Sequence, residues 1–168
     1  MSTQSCNPWN FVPHQHQGPH QETEVDAHVR SPTKHNGPVK AGGIITFMGA
    51  PYCPPDREKI KEMGAKVCFL GAPWDLSTIV RTGTSSGPQG IREASTQYFP
   101  YMFEYDVDLM TFFNVVDCGD IPIVPGNSAK SQQYMVDYIT ECLEGGARVI
   151  LVGGDHSVPI PGARARSY

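Results

Sequence analysis

The chain contains no apolar run approaching the length of a bilayer span, which excludes a transmembrane helix. Its first residues lack a basic stretch followed by an apolar one, so no secretory leader is expected. Lysine and arginine are scattered, 13 against 17 acidic side chains, for a net charge of −4. No basic stripe points to a nucleic acid or an acidic membrane surface as partner. Cysteine is sparse: Cys6, Cys53, Cys68, Cys118 and Cys142 are five in number, odd and widely spaced. Cys68 and Cys142 fall on apolar faces, where thiols act as small hydrophobes. A reducing, cytoplasmic protein without disulfides is expected. There is no internal repeat, no P-loop lysine and no Gly-x-Gly-x2-Gly. The 168 residues suffice for one domain with a sizeable core.

Residues 1–42 are rich in Pro, Gln, His, Thr and Ser and poor in large aliphatics. Such a segment cannot bury enough apolar area to offset its ordering entropy, so a flexible polar arm is expected there. The domain then occupies residues 43–168. Five of the six histidines lie in the arm: His14, His16, His20, His28 and His35. The spacing His14-x-His16-x3-His20 can bind a transition metal. No cysteine or acid stands close by to complete a site, and a polar tail with incidental histidines is the favoured reading.

Beyond the arm, order is expected from Gly43, with the short apolar run Ile44-Ile45-Thr46-Phe47-Met48. Residues 56–63 form a short helix after Pro55, closed by Gly64. Residues 66–71 form a strand, and a helix runs over about 88–98. Phe112 to Asp117 reads as a further strand ending in Cys118-Gly119-Asp120. The clearest helix begins at Asn127 or Ser128, either of which can cap it. Met135, Tyr138, Ile139, Cys142 and Leu143 then recur as one apolar stripe, and Gly145-Gly146 closes the helix. Arg148-Val149-Ile150-Leu151-Val152 follows as a buried strand. Strand, helix, strand in this order is a βαβ unit with parallel strands.

Ligands of open α/β sheets collect outside the carboxyl ends of the strands. Three such ends carry Asp75, Asp117 with Asp120, and Asp155 with His156 in Gly153-Gly154-Asp155-His156-Ser157. Carboxylates with an imidazole suit Mn²⁺, Zn²⁺ or Fe²⁺. One histidine alone cannot hold such an ion, since a catalytic zinc needs about three protein ligands. On spacing alone a sharp turn comes first, with Asp155 capping the next helix and His156 packed against it. Gly83-x3-Gly87-Pro88 is a tight loop leading into a helix with Pro in its first turn. Arg81 orients an anion or pairs with Asp75, and Asp106 and Asp108 read as ordinary solvated positions.

Four blocks, in order over residues 43–165, resemble the ureohydrolase (arginase/agmatinase) family. They are Gly43-Ile44-Ile45-Thr46-Phe47, then Gly71-Ala72-Pro73-Trp74-Asp75 continuing through Arg81-Thr82-Gly83 and Gly87-Pro88-Gln89-Gly90-Ile91-Arg92-Glu93-Ala94-Ser95, then Asp117-Cys118-Gly119-Asp120, then Gly153-Gly154-Asp155-His156-Ser157. The resemblance implies an α/β fold of three layers, α/β/α, around a parallel, arginase-like sheet. It implies a bridged Mn²⁺ pair, with Ni²⁺ as the alternative, and hydrolysis of a small linear guanidino compound (agmatine, guanidinobutyrate or guanidine) to urea or ammonia and an amine. It makes His156 a metal ligand and Asp75, Asp117, Asp120 and Asp155 supports of the active-site loops. Full-length members are expected to be homo-oligomers. The family's later ligand blocks, Asp-x-His-x-Asp and Ser-x-Asp-x-Asp, do not occur in this sequence. The chain is therefore expected to be an N-terminal part of such a domain, its C-terminal part missing, inactive alone. The alternative is a non-enzymatic remnant that associates with full-length subunits through an exposed sheet edge.

Overall fold

A computed structural model describes residues 44–165. The polar arm with its five histidines, Cys6 and Gly43 lie outside the described residues. In chain order the elements are α1 (Arg57–Glu62), β1 (Val67–Ala72), α2 (Gly87–Ser95), β2 (Tyr101–Met102), β3 (Val107–Asp108), α3 (Leu109–Phe113), β4 (Val115–Asp120), α4 (Ser128–Glu144), β5 (Arg148–Gly153) and α5 (Pro159–Ala165). Single 3₁₀ turns span Phe47–Gly49 and Thr84–Ser86.

The main sheet is parallel throughout, in the order β4-β1-β5. Side chains alternate across a strand, and β1 uses both faces. Cys68, Leu70 and Ala72 enter the main core with Met135, Val136, Ile139 and Cys142 of α4. On the other face Phe69 stacks on Phe47, ring centroids 4.4 Å apart, beside the Arg92 guanidinium of α2. Helices therefore flank the sheet on both sides, which is the expected three-layer arrangement. Each fully buried aliphatic in this core contributes about 1.5–3 kcal/mol through removal from water.

The stripe of α4 behaves as its 3.6-residue period requires: Met135, Ile139 and Cys142 are buried, Tyr138 and Leu143 partly so. Asn127 caps it, its side-chain oxygen accepting from the Lys130 amide at 3.0 Å. Asp56 does the same for α1 through the Glu58 and Lys59 amides.

Three expectations are corrected. Phe112 and Phe113 belong to helix α3, not to a strand, and β4 begins only at Val115. The Asp108 carboxylate caps α3 by accepting from the Met110 and Thr111 amides, and Asn114 ends it in the left-handed region at φ 44°. Asp106 and Asp108 are thus not idle solvated positions. Asp106 accepts from the Tyr101 hydroxyl across the small antiparallel β2–β3 hairpin. Strand β5, expected to be buried, is an edge strand among the described residues, and Ile150 is 46% exposed. The opposite edge is partly covered, because Pro51 and Cys53 exchange backbone hydrogen bonds with Asp117 of β4.

Candidate functional site

The carboxyl ends of β1 and β5 are stitched together by their exit loops. The Gly154 amide donates to the Ala72 carbonyl and the Asp155 amide to the Trp74 carbonyl, both at 2.9 Å. A Cβ on Gly154 would lie 1.7 Å from the Trp74 carbonyl oxygen. The second glycine is thus required for close backbone approach.

Asp155 is buried directly beyond this seam. Its carboxylate accepts from the Ser77 amide at 2.7 Å, the Ser157 amide at 2.9 Å and the Ser157 hydroxyl. Burial pushes its pKa up, but the bonds from Ser157 and Ser77 outweigh burial and nearby Asp75, leaving it below the usual carboxylate value. Asp155 therefore ties the loop after β1 to the loop after β5 rather than merely capping the following helix. Its neighbour His156 is exposed and does not pack inward. Together they line a cleft of about 560 Å³ whose apolar walls come from Ile139, Leu143, Val149 and Leu151.

Asp75 shapes the loop after β1. Its carboxylate accepts from the Gly83 amide and from the Thr84 hydroxyl at 2.7 Å, and these bonds hold its pKa down. The expected Arg81 partner is replaced by these local donors, and Arg81 is exposed.

The β4 acids serve a different side chain, one the sequence reading passed over. Asp117 lies within the strand, 1% exposed, on the α2 face. Arg92 of α2 grips it with a two-pronged contact, Nε to Oδ2 at 2.8 Å and Nη2 to Oδ1 at 3.0 Å. It also reaches Asp120 at 2.6 Å and the Gly119 carbonyl at 3.0 Å. Burial lowers the Arg92 pKa, but its bonds to Asp117 and Asp120 raise it more, so the charge is secure. Gly71 makes room: a Cβ there would meet the Asp120 carboxylate at 1.9 Å. The available signal was spacing, since Pro88, Arg92 and Ser95 recur on one helical face and all three are buried.

The sequence-expected residues therefore fall into two groups. Asp75, Asp155 and His156 meet at the β1–β5 tips, while Asp117 and Asp120 are bound to Arg92 beside β4. All four carboxylates accept from protein donors, and the His156 imidazole is exposed beside them. Among the described residues no three of these side chains bring ligand atoms close enough to share an ion, and a metal site takes about three protein ligands, so they do not by themselves hold a metal pair. Among the described residues, the group close enough to hold an ion is Cys68, Cys118 and Cys142, elsewhere in the fold.

A model of the arginase family matches residues 65–167. The chain is 30% identical over 142 residues to the guanidinobutyrase of Pseudomonas aeruginosa, covering 84% of this chain and 43% of that protein. It is 33% identical over 101 residues to the agmatinase of Salmonella paratyphi B, covering 59% of this chain and 33% of that protein. Among solved structures, the proclavaminate amidino hydrolase of Streptomyces clavuligerus superposes with a TM-score of 0.64 at 30% identity, covering 74% of this chain and 39% of that one. The chain thus spans less than half the length of these relatives. No described helix is long and apolar enough to cross a membrane.

Proposed function

The chain belongs to the arginase family, and from that premise we propose that it carries the N-terminal part of an agmatinase-like amidinohydrolase. The reaction adds water across a carbon–nitrogen bond of a linear guanidino compound, releasing urea and an amine, or ammonia from guanidine itself. Agmatine, guanidinobutyrate and guanidine are the substrates we propose, and guanidinobutyrase and agmatinase relatives support that class.

One observation carries the reading. Asp155, fixed by three hydrogen bonds, leaves an exposed imidazole on the next residue at the carboxyl edge of a parallel sheet. We assign His156 as one donor to a metal pair of manganese, or alternatively nickel, with the remaining donors supplied from outside the described residues. Asp75, Asp117, Asp120 and Asp155 hold the loops around it rather than the ion. Because one imidazole cannot retain a metal pair, this chain alone is expected to be inactive.

The test has two arms. The 168-residue chain with Mn²⁺ or Ni²⁺ should release no urea from the three substrates above its His156→Ala control. A chimera joining it to the later half of the P. aeruginosa guanidinobutyrase should release urea, and His156→Ala should reduce that to background. A chimera that melts cooperatively yet hydrolyses none of the three substrates overturns the proposal. Turnover by the chain alone above the control overturns its inactivity.

A further inference from the structure

We propose that Cys68, Cys118 and Cys142 form a buried trithiolate site for a single soft, thiophilic d¹⁰ cation of the copper(I) class. The three residues come from the central strand, the β4 edge and helix α4, and their Sγ atoms all lie within 4.8 Å of one another. None is more than 2% exposed. This cluster lies in the core between sheet and α4, separate from the strand-tip site, and does not depend on the proposed hydrolysis.

Geometry and donor chemistry select the occupant. A metal–sulfur bond of about 2.3 Å puts three sulfurs in a trigonal plane about 4.0 Å apart, inside the observed 4.8 Å spread. The group contains sulfur only, which disfavours magnesium, calcium and manganese. The same core cluster includes Leu70, Val116, Met135 and Ile139, side chains with no oxygen or nitrogen donor to compete with the thiols. Structural zinc is almost always four-coordinate. The fourth core thiol, Cys53, donates instead to the Pro54 carbonyl at 3.4 Å and is not in the group. Copper(I) is satisfied by three thiolates and needs no water. On binding, each coordinating thiol releases its proton to solvent, so three thiolates around one monovalent cation leave the site with a net charge of −2, and no electron is transferred.

The reduced 168-residue chain is titrated anaerobically with copper(I) in a competing chelator. One equivalent should be retained per chain, with an X-ray absorption shell of three sulfurs and no nitrogen or oxygen. Cys118→Ala should abolish retention, while Cys6→Ser and Cys53→Ser should leave it unchanged. Should Cys118→Ala fail to fold, alkylation of the wild-type chain decides. Copper loading should protect Cys68, Cys118 and Cys142 together during unfolding and leave Cys6 and Cys53 open to reagent. Failure to retain copper, a shell containing nitrogen from the histidine-rich arm, or protection of a different set of cysteines overturns the assignment.

Discussion

Replacing Arg92 by methionine keeps most of the side-chain volume and removes the charge that three β4 groups share. The substitution deletes two hydrogen bonds to Asp117, one to Asp120 and one to the Gly119 carbonyl. It also removes the cation 5.0 Å above the Phe69 ring. Asp117, 1% exposed, is then a buried carboxylate without a counter-charge. Breaking a buried pair by removing one partner costs about 3–5 kcal/mol. Asp117 keeps the Phe47 and Gly119 amides, each at 2.8 Å, which places the expected loss near the lower figure. With a urea m-value of about 2 kcal/mol/M, the unfolding midpoint should fall by about 1.5 M with unchanged slope. Arg92→Lys should lie between wild type and Arg92→Met, because an ammonium cannot reproduce the guanidinium fork. Adding Asp117→Asn to Arg92→Met should recover part of the loss, since the stranded charge is gone. A loss under about 1 kcal/mol, the value of a solvated surface pair, would refute the argument that this network holds α2 to the sheet.

Gly154→Ala should destabilise by about 1–3 kcal/mol or more, because its Cβ meets backbone that must move. Gly90→Ala, in α2 with open space around it, should instead stabilise by about 0.5–1 kcal/mol; equal effects in urea titrations would discredit the close-approach account. The Asp155 carboxyl is held below its ordinary 3.8, so its ionised form stabilises the fold above that pH. The contribution disappears as pH falls through the folded-state value, and Asp155→Asn should flatten the stability loss below about pH 4; an unchanged acid limb would contradict this. Burial pushes the Cys53 thiol up to about 11, so in the native metal-free chain it should react with a disulfide reagent at pH 8 far more slowly than in guanidinium. Equal rates in the two states would contradict its burial.

The parts of this fold that the sequence discloses are those with a strong local period. Helix α4 is legible because Met135, Ile139 and Cys142 repeat on one face behind the Asn127 cap. The strand tips are legible because Gly-Gly-Asp-His follows an apolar run. Phe112 and Phe113 mislead because a short apolar run fits either helix or strand. Asp108 and Asn114, at the two ends, decide it. The apolarity of 148–152 gives a strand but not its edge position, which depends on pairing across the sheet. Arg92 leaves a faint trace as a charge between Pro88 and Ser95 on a buried face. The meeting of Cys68, Cys118 and Cys142 leaves no local trace at all, since it follows from strand register and helix placement together.

The seam between Trp74 and Asp155 also carries a mechanical consequence. Segments some eighty positions apart along the chain are fastened main chain to main chain, leaving His156 little freedom to adjust its anchorage independently. Distortion of the turn after the first strand would be transmitted to the ring, and anything that grips the ring would tighten that distant turn.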